Sequence, residues 1–162
     1  MRGCIPCQEG KAMIKRIVLA VDGSEHASKA TALTAEIANK FGAAVTVVHA
    51  MPKAGSGRVP DELAQFVELE HVQVTEANIM RQVGDEIVRR AEAALRQAGV
   101  GKIATTVELG DPATKIAEVA RTSAADLIVI GRRGLGRVGG SLLGSVSLKV
   151  NHLAECPCLT VK

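Results

Sequence analysis

Three short aliphatic runs, Ile17 to Val21, Val45 to His49 and Leu127 to Ile130, set the tightest limit on what this chain can become. A strand with one wet face alternates apolar and polar residues, whereas a near-continuous apolar run must be covered on both faces. Stretches of helical spacing separate the runs. Strands alternating with helices read as β-α-β units of a parallel sheet, and right-handed crossovers then set helices on both of its faces.

The residues around these runs fill in the order. Asp22-Gly23-Ser24 offers a turn and a helix N-cap after the first strand. Ala30, Leu33, Ile37, Ala38 and Phe41 follow at helical spacing, and Gly42 supplies a left-handed stop. Met51 to Pro60 holds two prolines and two glycines and reads as a mobile loop. A long helix is expected over Asp61 to Ala98, with Ile79, Val83, Ile87, Ala91, Ala94, Leu95 and Ala98 on its apolar face and a bend at Gly84. Ile103 to Leu109 alternates as a strand, and Gly110-Asp111-Pro112 opens a helix with Asp at the N-cap and Pro at the first turn. A glycine-rich loop from Gly131 to Gly144, a helix from Ser145 to Ala154 and a strand from Cys158 to Val161 complete a β-α-β-α-β-α-β-α-β series.

The 162 residues suit one domain, which is expected to begin near Met13. Residues 1–12 show no periodicity and read as a disordered tail, either an extended start or an appended remnant. Phe41 and Phe66 are the only aromatic residues, so the core must be Val, Ile, Leu and Ala, and bases have little to stack on; nucleic acid is not an expected partner. The net charge of +3 is mild and interspersed, which implies no electrostatic partner. No apolar run approaches a membrane span and no secretory stretch opens the sequence, so a cytoplasmic protein without membrane contact is expected.

Four cysteines stand as Cys4, Cys7, Cys156 and Cys158. Free thiols are the first reading in a reducing compartment, and a four-thiolate zinc site is the second. His26, His49, His71 and His152 have no Ser or Cys partner at a catalytic spacing, and no hydrolytic triad is expected.

The glycine-rich loop is the most informative stretch. Residues without a Cβ let backbone N–H groups approach anionic oxygens, and the helix that follows adds unpaired N–H groups and the positive end of its dipole. Gly134-Leu-Gly136-Arg-Val-Gly139 fits the dinucleotide fingerprint G-x-G-x-x-G, but it follows the fourth strand instead of the first, and the chain ends too soon for the acidic residue that pattern requires. A Walker-type P-loop sequence does not occur.

Gly131, Gly134, Gly144 and Ser145 match G-x2-G-x9-G-[ST], and by this pattern the chain resembles the ATP-binding subgroup of the universal stress protein family. The resemblance runs from Met13 to Lys162 and takes in Val21-Asp22-Gly23-Ser24, His49-Ala50, Gly110-Asp111-Pro112, Leu143-Gly144-Ser145-Val146 and Cys156-Pro157. It implies a single-domain α/β fold: an open five-stranded parallel sheet with helices on both faces, Rossmann-like and of the adenine nucleotide alpha hydrolase-like type. It also implies ATP as ligand, with Mg²⁺ or Mn²⁺. By the same resemblance Ala20, Val21 and Asp22 contribute from the end of the first strand, Ala50 meets the adenine and Ile130 flanks the adenosine. Gly131, Gly134, Gly144, Ser145, Val146 and Ser147 take the phosphate and ribose, and the hydroxyls of Ser145 and Ser147 are available as donors at a helix start. Arg132, Arg133 and Arg137 are not demanded by the motif; Arg133 reads equally as a phosphate contact or a solvated side chain, and Arg132 and Arg137 read more readily as solvated.

Three functions fit. In the first, nucleotide orders the loop and changes a surface that a protein partner, not identified by the sequence, reads as a stress-response switch or adaptor. The others are a slow ATPase, for which no clear catalytic constellation is visible, and a nucleotide-free interaction module. A homodimer through the terminal strand is expected in every case, because an unpaired edge invites a symmetric partner and the resembled family pairs there.

Overall fold

The computed structural model describes residues 13–52, 76–134 and 144–162. The expected tail, the Met51 to Pro60 loop beyond Pro52, the start of the long helix and most of the glycine-rich loop, including Arg137, lie outside the described residues.

Among the described residues five parallel strands and four helices alternate: β1 (Arg16–Ala20), α1 (Glu25–Phe41), β2 (Ala44–Met51), α2 (Glu76–Gln97), β3 (Ile103–Leu109), α3 (Pro112–Thr122), β4 (Leu127–Gly131), α4 (Ser145–Leu153) and β5 (Cys158–Val161). The sheet order is β3-β2-β1-β4-β5, with Ala20 opposite both Val48 and Ile130. The Rossmann-like α/β sheet expected from the sequence is therefore the fold. Boundaries moved by a residue or two: β1 starts at Arg16, paired with Ala44, and β2 runs on to Met51 because β3 pairs with it that far.

Alternation along the buried strands divides the core into two layers. Ile17, Leu19, Val45, Val47 and Val129 face α1 and α2 together with Ala27, Ala30, Val88 and Leu95. Val18, Ala20, Val48, Ile128 and Ile130 face α3 and α4 with Ala113, Ile116, Ala120 and Val150. Each fully buried Val, Leu or Ile contributes about 1.5–3 kcal/mol relative to exposure, so the aliphatic strands are the main source of stability. Among the described residues no helix is long and apolar enough to cross a membrane.

Two helix faces differ from the sequence reading. On α1 the buried stripe is Ala27, Ala30, Thr31, Thr34, Ala35 and Ala38, while Phe41 is exposed. Small side chains let the helix lie close to the sheet, and the threonines satisfy their hydroxyls on the carbonyls of Ala27 and Ala30, at 2.8 and 2.7 Å. On α2 the buried positions are Gly84, Val88, Ala91 and Leu95; Ile79, Val83, Ala94 and Ala98 are exposed. The helix runs unbroken through Gly84, whose missing Cβ serves a close approach. A Cβ there would collide with Met51 and lie 3.0 Å from Val107 and 3.1 Å from the His49 ring. Close contact with the sheet sets the rotation of α2 about its axis.

Burial also settles the role of the two C-terminal cysteines. Cys156 and Cys158 are free thiols packed against the α3/α4 layer, and burial pushes both upward in pKa, Cys158 to about 11. Burial thus favours the thiol over the thiolate at both positions. Cys4 and Cys7 lie outside the described residues.

Three helices end in the same six-residue wrap. Ala43 N–H reaches Ala38 O, Val100 N–H reaches Leu95 O and Ala125 N–H reaches Ala120 O, each closing over a left-handed residue. That residue is Gly42 and Gly99 for α1 and α2, but Ala124 with φ 47° for α3. A side chain in this region costs about 1–2 kcal/mol. Ala124→Gly is expected to stabilise the fold by on the order of 1 kcal/mol, raising the thermal midpoint by roughly 2–4 °C in calorimetry.

The start of β1 is pinned by a carboxylate: Asp126 Oδ2 accepts the N–H groups of Lys15 and Arg16 at 2.8 and 2.9 Å. These backbone donors, the Lys15 bond foremost, hold its pKa below the ordinary 3.8 despite partial desolvation. A depressed native pKa gives stability that is whole above the unfolded-state value and fades as pH falls through the native one. The advantage of the wild type over Asp126→Asn in urea melts should accordingly be constant from pH 7 to about 5 and shrink below about 4.

Candidate functional site

The sheet reverses its winding between β1 and β4. Connections run outward from β1 through β2 to β3, then return across the sheet to β4 and β5. In open parallel sheets the crevice for a ligand lies outside the carboxyl ends of the strands at such a reversal. Ala20-Val21-Asp22 ends one wall of that crevice and Ile130-Gly131-Arg132 ends the other.

Ala20, Ala50, Ile130 and Val146 all belong to the α3/α4 layer, so four of the sequence-predicted positions share one apolar face. Val21 does not. Its side chain is buried in the opposite layer, its N–H donates to Val48 O at 2.9 Å, and its carbonyl accepts the His49 Nδ1–H at 2.7 Å. Because a carbonyl only accepts, that bond fixes the proton on Nδ1. Val21 thus has a structural duty tying β1 to β2, and its only remaining polar capacity is a second lone pair on its carbonyl.

The loops after β1 and β4 meet directly. Asp22 Oδ1 accepts Ser24 N–H at 3.0 Å, and Ser24 caps α1 by accepting Ala27 N–H at 3.2 Å. The Ser24 hydroxyl also reaches the Arg133 carbonyl at 3.3 Å. Two glycines permit this contact. A Cβ on Gly131 would stand 2.9 Å from the His26 backbone, and one on Gly134 would strike the Asp22 carboxylate. Sequence reasoning assigned Ser24 only a cap; its bridge to Arg133 spans 109 residues, and no local pattern signals it.

The start of α4 forms the floor of the loop. Gly144 is the N-cap and supplies no side-chain acceptor, which leaves the first-turn amides of Ser145, Val146 and Ser147 without a capping side chain. Ser147 is 2% exposed, and its hydroxyl lies 2.9 Å from Gly144 O and 3.1 Å from Arg132 O. Of the two hydroxyls expected to serve a ligand, that of Ser145 belongs to an exposed residue, whereas that of Ser147 is engaged with the Gly144 and Arg132 carbonyls. Lys149 Nζ fixes the helix from the other side, 3.0 Å from Asp111 Oδ2 at the cap of α3. Thr114 and Lys149 together hold the Asp111 carboxyl down to about 2, the two Thr114 bonds contributing most.

Known proteins share this fold. A model of the universal stress protein family matches residues 13–162. A universal stress protein of Thermus aquaticus, from the 3′ region of a sulfhydrylase gene, is 40% identical over 93% of this chain and its own full length. The Methanocaldococcus jannaschii universal stress protein MJ0531 is 31% identical over 96% of the chain and 86% of its own length. Among solved structures, universal stress protein UspA from Lactobacillus plantarum superposes with a TM-score of 0.71 at 22% identity, covering 94% of this chain and 100% of that one. The Archaeoglobus fulgidus universal stress protein in complex with dAMP gives a TM-score of 0.61 at 24% identity, over 94% and 100% of the two chains. An Arabidopsis thaliana family protein with AMP bound gives 0.60 at 21% identity, over 91% of each. Family model, curated relatives and fold agree: this chain belongs to the universal stress protein family.

Proposed function

We propose that this universal stress protein binds an adenine nucleotide, ATP foremost, in the crevice between β1 and β4, and that occupancy alters a surface read by a protein partner in the cytoplasm. One observation carries the reading: the apolar face of Ala20, Ala50, Ile130 and Val146 meets the uncapped amides of α4 at the point where the sheet reverses. An aromatic base suits the former and an anionic tail the latter. The dAMP and AMP held by the Archaeoglobus and Arabidopsis neighbours support the adenine half of the proposal.

No group of three or more His, Cys, Asp or Glu suited to a metal occurs among the described residues. A Mg²⁺ or Mn²⁺ ion therefore fits only as a companion of the phosphates, with Asp22 as the protein carboxylate nearest to hand. In this reading Ser145, Val146 and Ser147 offer main-chain N–H groups, and Gly134 keeps its backbone low against Asp22.

Gly134→Ala tests that close approach. Its Cβ meets a carboxylate on an exposed loop, so the variant should fold as the wild type does yet bind AMP and ATP about tenfold more weakly by equilibrium dialysis. Phosphate release followed in the same samples is expected to stay at background. A wild type that retains none of these nucleotides refutes the proposal.

We also propose a homodimer through β5, an edge of the described sheet. Ile128 N–H donates to Pro157 O and Arg132 N–H to Val161 O, so the odd-numbered residues of β5 face β4 while Cys158 and Thr160 turn their main-chain groups outward. Thr160→Pro removes one outward donor and should convert a dimer to a monomer in light scattering, with the β4–β5 ladder intact. A wild-type chain that is already monomeric at high concentration excludes this pairing.

A further inference from the structure

Among the described residues, one buried side-chain nitrogen or oxygen lacks a hydrogen-bond partner: Arg132 Nε. A donor on a cationic group shut away from water is costly unless a partner completes it, and such orphans call for a missing ligand or a stored strain. The surrounding backbone is fully engaged. Arg132 N–H donates to Val161 O at 2.6 Å, and its carbonyl accepts Gly144 N–H at 2.9 Å and the Ser147 hydroxyl at 3.1 Å. The residue is thereby held in a fixed place, one position past β4 and bonded to the uncapped start of α4.

Direction follows from the ladder. Pairing of β4 with β5 continues through Arg132 N–H, so alternation puts this side chain on the face of Ile130, the face that carries Ala20, Ala50 and Val146, whereas Gly131 between them abuts α1. A guanidinium presents Nε–H beside an Nη–H as two parallel donors, the geometry that fits a phosphate. Arg133 differs: it is exposed, and its carbonyl is the part built into the loop contact.

We infer that Arg132 is the cationic contact for the phosphate charge and sets the preference of the site for phosphorylated over unphosphorylated adenosine. The inference rests on the nucleotide-binding reading above and adds to it the residue that measures ligand charge.

Calorimetric titration of the full chain with adenosine, AMP and ATP tests it, using the wild type, Arg132→Met, Arg132→Lys and Arg133→Met. Arg132→Met keeps an apolar stem and removes the orphan donor. It should weaken AMP and ATP about ten- to a hundredfold, leave adenosine unchanged, and leave the ligand-free melting midpoint the same or higher. Arg132→Lys retains charge without the fork and should fall between, and Arg133→Met should cost less than Arg132→Met. Unchanged AMP and ATP affinity in Arg132→Met, with a binding wild type, overturns the role of Arg132 and leaves nucleotide binding standing. A ligand-free midpoint that drops together with adenosine affinity makes Arg132 a packing residue and overturns the inference. A wild type with no affinity for any of the three ligands overturns both.

Discussion

The pairing of β1 with β4 is the contact on which the rest of the molecule depends. β1 is buried on both faces and hydrogen-bonded on both sides, with Val18 and Leu19 fully shut from solvent. Because β4 returns to lie beside β1 and not beyond β3, the helices sort into two pairs: α1 and α2 on one face, α3 and α4 on the other. The same return sets Ala20 against Ile130 at the carboxyl ends of the two strands. Core and crevice thus come from one topological choice, enforced by strands too apolar to lie anywhere but the middle of the sheet.

Close approach of main chains gives the crevice its rim. Gly131 lets the end of β4 touch the first turn of α1, Gly134 lets the next loop lie on Asp22, and the Ser24 hydroxyl joins the two loops. Small residues repeat the theme elsewhere, with alanines along the buried side of α1 and Gly84 on the sheet-facing side of α2. In a chain nearly without aromatic residues, tight packing is reached by bringing backbones together, since bulky side chains are not there to fill wide gaps.

Much of this was legible in residue order. Aliphatic runs marked the strands, Ser24 and Asp111 marked helix starts, and β3, β5 and the start of α4 fell where the pattern put them. The faces of α1 and α2 were legible in part: Ala30, Ala38, Ala91 and Leu95 are buried and Ile37 and Ile87 pack against the core, but spacing rules reward large apolar residues, and Phe41, Ile79 and Val83 proved exposed. The sheet instead selected the small residues that permit a short approach. The same limit applied to the site. The glycine motif drew attention to the loop after β4, yet the engagement of Val21 with His49, the inward bonds of Ser147 and the orphan on Arg132 belong to contacts between segments far apart in sequence. Local periodicity carries no information about such contacts.

The two peptide units on either side of the Arg132 Cα carry a mechanical corollary. The N–H of Arg132 is fastened to the last strand at Val161 and its carbonyl to the first turn of α4 at Gly144 and Ser147. The head of that helix is therefore coupled to the carboxyl end of β5 through main chain alone, by two successive amide planes that meet at the Arg132 Cα. The outermost strand of the sheet and the rim of the crevice are fastened together at one residue.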